Sequence, residues 1–159
     1  MDTFNADMCA KSIIFYTFAA KMTNMKQITI KVAWNNSAFE GLVSSETSYG
    51  EMKIVTKDFN DIIDMGEAEL KIGFDGYTEF GLELPESYKN KEYEFVYKFQ
   101  DVTAMLKAYS SYVSLAAISR ETGINSALLS HYANGLKVPR NKQQKIIVSG
   151  LHRIGALLS

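Results

Sequence analysis

At Gln100-Asp101 a run of strict alternation gives way to helical spacing, and nothing downstream alternates again. In KEYEFVYKF, residues 91–99, Tyr93, Phe95, Tyr97 and Phe99 recur at every second position, which sets four rings on one face of a strand. Beyond it Val102, Met105, Leu106, Tyr109 and Val113 recur at three and four residues, the stripe of a helix for which Asp101 is a suitable N-cap. A chain that changes period in this way is α+β, with a strand-bearing part over 25–100 and an all-helical part over 101–159.

The strand-bearing part begins at QITIKVAW, where Ile28, Ile30 and Val32 alternate with Thr29 and Lys31. Asn35-Asn36-Ser37 supplies turn residues, so AFEGLVSS continues as the second arm of a hairpin, and EMKIVTK gives a third strand. Asp58 is placed to cap a helix with Phe59, Ile62, Ile63, Gly66 and Leu70 on its inner face. LPESYKNK reads as irregular because of Pro85. The expected order is strand, strand, strand, helix, strand.

Residues 1–24 precede any regular patterning. The stretch KSIIFYTFAAKM is too short to span a membrane and, with Asp2 and Asp7 before it, makes a poor secretory signal. It reads as an extension, disordered or adding one short element, with Met22 or Met25 as alternative starts. Cys9 is the only cysteine, so no intrachain disulfide can form and a reducing cytoplasm is the expected location.

Charge is divided along the same line as the period. From Val102 onward seven Lys or Arg face a single acid, Glu121, a balance of +6, while the rest of the chain holds 10 bases and 17 acids. The net charge of −1 conceals an acidic part and a basic part, and the basic one suits a polyanion.

That basic part contains LAAISRETGINSALLSHYANGLKVPR, residues 115–140. Ser114 can cap a helix carrying Leu115 and Ile118. Gly123 permits the left-handed backbone that stops a helix, Ile124 follows as an apolar plug, and Asn125 caps the next helix. Leu128, Leu129 and Tyr132 face inward there, and Gly135 closes it. Beyond Pro139 a last helix buries Ile146, Ile147, Leu151, Ile154 and Leu158.

Two short helices joined by a tight glycine turn are the helix-turn-helix pattern, whose second helix enters the DNA major groove. The outward positions are then Ser126, Ala127, Ser130, His131 and Asn134, beside the cap Asn125. The polar ones can bond base edges or phosphates, and Ala127 can touch a thymine methyl. Lys137, Arg140, Lys142 and Lys145 suit phosphate oxygens. The plain alternative is a helical bundle with ordinary surface residues.

Catalytic signals are weak by comparison. Asp58, Asp61 and Asp64 could edge a helix with carboxylates, but acids in a first turn are also what the helix dipole favours. His131 and His152 alone make no metal site. No nucleophile turn or phosphate-loop fingerprint is present. The expectation is a chain without catalytic residues, metal or cofactor, acting by binding.

Residues 93–158 resemble the C-terminal domain of HicB-type antitoxins, in the Xre/Cro-like group of helix-turn-helix domains. The likeness is carried by Leu115, Ser119, Thr122-Gly123-Ile124-Asn125, Leu129-Ser130-His131-Tyr132, Gly135, Pro139-Arg140, Ile146, Leu151-His152-Arg153 and Gly155. It implies that residues 25–100 form a partial RNase H-like β-β-β-α-β domain. It also implies an antitoxin that covers a HicA-type ribonuclease toxin with that domain and represses its own operon through residues 101–159, as a dimer or higher oligomer on double-stranded operator DNA. The chain departs from the family where SSETSYGEM replaces the Pro-Gly after the second strand, and where Ser126 and Ala127 stand in place of Gln or Lys. A stand-alone phage-type or chromosomal regulator, whose first domain oligomerises or senses a ligand, is the alternative. A metal-dependent nuclease would need convergent carboxylates in the first domain.

Overall fold

The computed structural model describes residues 25–44 and 52–158. The extension expected over residues 1–24, and most of SSETSYGEM, lie outside the described residues. The fold is α+β, with a four-stranded mixed sheet and, among the described residues, six helices. The chain divides into two compact units between Lys98 and Phe99.

In the first unit, β1 (Lys26–Asn35) and β2 (Ala38–Ser44) form an antiparallel hairpin. Its turn is Asn36 and Ser37, with φ of 47° and 61°; two such residues in succession give the primed turn whose twist suits paired strands. Asn35 opposes Ala38, and the register continues through Trp34 with Phe39 and Ile30 with Val43. Ile28, Ile30 and Val32 are fully buried, as the alternation predicts. β3 (Met52–Thr56) pairs antiparallel with β2, β4 (Tyr93–Phe99) flanks β1, and the strand order is β3-β2-β1-β4.

Helix α1 (Asp61–Glu79) packs against β2 and β3 through Ile62, Gly66 and Leu70, which fall on one line of the helix. Three expectations here are corrected. Asp58 does not cap α1, whose N-cap is Asn60 and has no side-chain cap bond. The Asp58 carboxylate instead accepts from the Asn60 N–H at 2.9 Å, so it shapes the turn before the helix. Ile63 is exposed, because it lies about 100° around the helix from Ile62. Phe59 precedes the helix and tilts against Phe39 and Tyr97.

The segment expected to be irregular contains the one-turn helix α2 (Glu86–Lys89). Pro85 stands just before its first residue, where the missing N–H removes no helical bond. Tyr88 is buried between Phe74 and Tyr93, at ring distances of 5.1 and 6.0 Å, and this packing supplies what local propensity does not.

The second unit holds α3 (Val102–Tyr109), α4 (Leu115–Thr122), α5 (Ser126–Ala133) and α6 (Asn141–Leu158). Asp101 caps α3 as expected, accepting from the Ala104 N–H at 2.7 Å. Val113 is not on that helix, which ends at Tyr109; Phe99 meets Tyr109 edge-on at 5.6 Å. In α6, Ile147, Val148 and Leu151 are buried. Ile146 and Ile154 are only half-buried, so the inner face is rotated toward Val148 relative to the expected stripe, and the side chain of Leu158 lies outside the described residues.

Candidate nucleic-acid interface

The turn between α4 and α5 is built by four side chains and one glycine. Ser114 Oγ accepts from the Ala117 N–H at 3.2 Å and starts α4. At the far end Thr122 Oγ1 donates to the Ile118 carbonyl at 2.6 Å and accepts from the Ile124 N–H at 3.2 Å, which ties the last turn of α4 to the chain leaving it. Gly123 has φ 72°, the left-handed geometry in which a Cβ is strained. Ile124 is half-buried, and Asn125 Oδ1 accepts from the Ala127 N–H at 2.8 Å, so α5 begins three residues after the glycine.

α5 is held from behind. Leu129 has 0 % exposure and Tyr132 is buried, while Leu128 is half-buried rather than fully inward. The helix packs on α3 and α4, and α4 packs on α6. Thr103 Oγ1 donates to the Tyr132 carbonyl at 2.8 Å, fixing the last turn of α5 to α3. Gly150 admits the close approach of α6 to α4, since a Cβ there would overlap Thr122 Cγ2.

The opposite side of α5 faces solvent. Ser126, Ala127, His131 and Asn134 are exposed, as is the cap Asn125, and Ser130 is half-buried. At about 100° per residue these positions from Ser126 to Asn134 span about 140° of the helix circumference, with the buried anchors filling the other side. Asn134 Nδ2 donates to the Ser130 carbonyl at 2.9 Å and approaches Ser130 Oγ at 3.3 Å, so this carboxamide is folded onto its own helix.

After α5 the chain turns at Gly135, with φ 70°. Leu136 and Val138 project with 71 % and 85 % exposure on either side of the exposed Lys137, and Pro139 is buried beneath them in sequence. The start of α6 is fastened by Gln143 Oε1, which accepts from the Arg140 N–H at 3.1 Å, and by Gln144 Nε2, which donates to the Pro139 carbonyl at 2.9 Å. Lys142 and Lys145 are exposed on its first turns, and Arg140 is exposed just before them. The ten residues singled out thus fall on two consecutive stretches, a polar helix face and a basic connection. Arg153 is engaged differently, pairing with the Glu121 carboxylate and the Glu121 carbonyl. Burial pushes the His152 imidazole below its ordinary pKa, consistent with a structural place on α6.

Sequence reasoning gave no positioning role to Thr103, Thr122, Gln143 or Gln144, which hold the interface without being on it. Thr122 and Gln143 bond within four residues of themselves, so a capping pattern could have found them; Thr103 reaches across 29 positions and leaves no local trace.

Such a surface can donate and accept hydrogen bonds along one rod and attract anions beside it. Among the described residues no group of three or more His, Cys, Asp or Glu is placed to hold a metal ion, and no helix is long and apolar enough to cross a membrane. The first unit has an open depression of about 530 Å³ lined by Asp64, Glu67, Lys71, Phe74, Tyr88, Lys89, Lys91 and Tyr93. Comparison with family models, with curated proteins and with solved structures finds no match.

Proposed function

We propose that this chain is a DNA-binding transcriptional regulator that acts through α5. One observation carries the reading: a short helix, set off by a left-handed glycine, is anchored by Leu129 and Tyr132 and turns outward a face that is polar except for Ala127. The basic connection next to it supplies cations where a phosphate backbone needs them. One such helix reads only a few base pairs, so useful affinity calls for two copies about 34 Å apart on a near-palindromic operator.

Within that class, the resemblance of residues 93–158 supports a HicB-like antitoxin that neutralises a HicA-type ribonuclease toxin and represses its own operon. Recovery from native cells decides it: the expected result is a small basic ribonuclease and a defined duplex in the same complex. A stand-alone regulator is the second reading, and its ligand-sensing version would use the open depression of the first unit, lined by Phe74, Tyr88 and Tyr93 with lysines and the acids Asp64 and Glu67. Recovery of DNA without a toxin supports that version; recovery of neither rejects both.

Electrostatics gives a direct test of the interface. Replacing Lys142 or Lys145 by Ala is expected to weaken binding to all duplexes alike and to reduce the slope of log K against log salt by about one unit for each lost phosphate contact. A slope unchanged by both substitutions places the phosphates elsewhere.

A further inference from the structure

The two asparagines that bracket α5 have opposite ends committed to the protein. Asn125 gives its carbonyl end to the helix, Oδ1 accepting from the Ala127 N–H, and so retains an NH2 group to donate. Asn134 does the reverse. Its Nδ2 lies 2.9 Å from the Ser130 carbonyl, which has no proton to give, so the nitrogen is the atom facing the helix. The second approach of Nδ2, to Ser130 Oγ at 3.3 Å, turns the same atom inward again. What this exposed residue holds out is Oδ1, an acceptor.

An acceptor cannot bond a phosphate oxygen, which has no hydrogen to share. Among the edges displayed in the major groove only adenine N6 and cytosine N4 carry donors; guanine O6 and N7 and thymine O4 are acceptors. Resting on the DNA-binding reading above, we infer that Asn134 is a base-reading residue that recognises an exocyclic amino group, adenine N6 or cytosine N4, and makes no phosphate contact. The main-chain carbonyl of residue 130 positions it, setting which end of the amide is presented.

The test uses the full chain and a duplex selected by it from a random pool. Each adenine in turn is replaced by purine, which lacks the 6-amino group, and each cytosine by 2-pyrimidinone, which lacks the 4-amino group. Affinities are measured for the wild type, Asn134→Ala and Asn134→Gly, the glycine variant being compatible with a helix end. The expected result is one position in each half-site where deleting the amino group weakens the wild type about three- to tenfold and leaves both variants unchanged. An adenine at that position identifies N6 as the partner, a cytosine N4. Amino deletions that affect wild type and variants equally, or variants that lose only salt-dependent affinity, overturn the inference while leaving DNA binding intact. Selection of no preferred sequence also overturns it. Absence of any duplex binding overturns the inference together with the functional reading beneath it.

Discussion

The two units start their helices in different ways. In the sheet unit α1 runs for 19 residues from Asn60 with no side-chain cap bond, and the one-turn α2 follows a proline that offers none. In the helical unit α3, α4 and α5 are eight residues each, and every one begins on a side chain that accepts a first-turn N–H: Asp101, Ser114 and Asn125. Length accounts for the contrast between α1 and the three eight-residue helices, while α2, shorter still, is held by the packing of Tyr88. A helix of eight residues forms so few internal bonds that it cannot offset the cost of its own nucleation, whereas a long one laid on a sheet is stabilised by the face it buries. Caps appear where packing area is scarce.

Core truncation is the strongest way to challenge this division. Leu129→Ala and Ile30→Ala each empty a fully buried site and should cost about 2–5 kcal/mol in denaturant melts. Only the Leu129 change should also abolish duplex binding; equal losses of binding from both would mean that the units do not act separately. Gly150→Ala comes next. Thr122 is pinned by two hydrogen bonds and cannot turn away from the new methyl, so a loss of about 1–3 kcal/mol is expected. Ser114→Ala should cost about 1 kcal/mol, while Asn60→Ala, which loses no cap bond, should stay within about 0.5 kcal/mol. Similar costs at the two sites would remove the distinction drawn from caps.

Acidification separates the units more gently. Burial lowers the His152 pKa in the folded state, so the unfolded chain binds the extra proton first as pH falls. The associated stability is complete above about pH 6.5 and declines below it toward the depressed folded value. In the sheet unit the Glu40 carboxylate is lowered by bonds from Asn35 and Lys53, and Glu83 by Lys89, so their contributions persist until pH falls below the ordinary glutamate value of 4.5. Melts between pH 7.5 and 5.5 should therefore show a small loss that His152→Gln reduces. A loss of the same size in that variant assigns the dependence to another group.

Much of the helical unit was legible because its signals are local. Each cap lies within three residues of the N–H it satisfies, and Gly123 sits where a left-handed residue is required. The hairpin was legible for the same reason, through Asn36-Ser37 and the alternation of Ile28, Ile30 and Val32. Some misreadings are local, such as Asp58 and Ile63 at the start of α1, and others fall where distant residues decide. α2 depends on Tyr88 finding Phe74 and Tyr93, and the inner face of α6 is set by which neighbours its residues meet. For the interface, spacing indicated which residues of α5 face outward. The orientation of the Asn134 amide could not be read that way, since it depends on a side chain folding back four residues to a carbonyl.

The pairing of Arg153 with Glu121 has a wider consequence. From Val102 onward Glu121 is the only acidic side chain, and Arg153 already engages it, so the exposed Lys137, Arg140, Lys142 and Lys145 have no second acidic side chain within that stretch. Compaction brings these like charges together, and self-repulsion opposes it. Mobile anions screen that repulsion, so the stability of this stretch should rise with ionic strength.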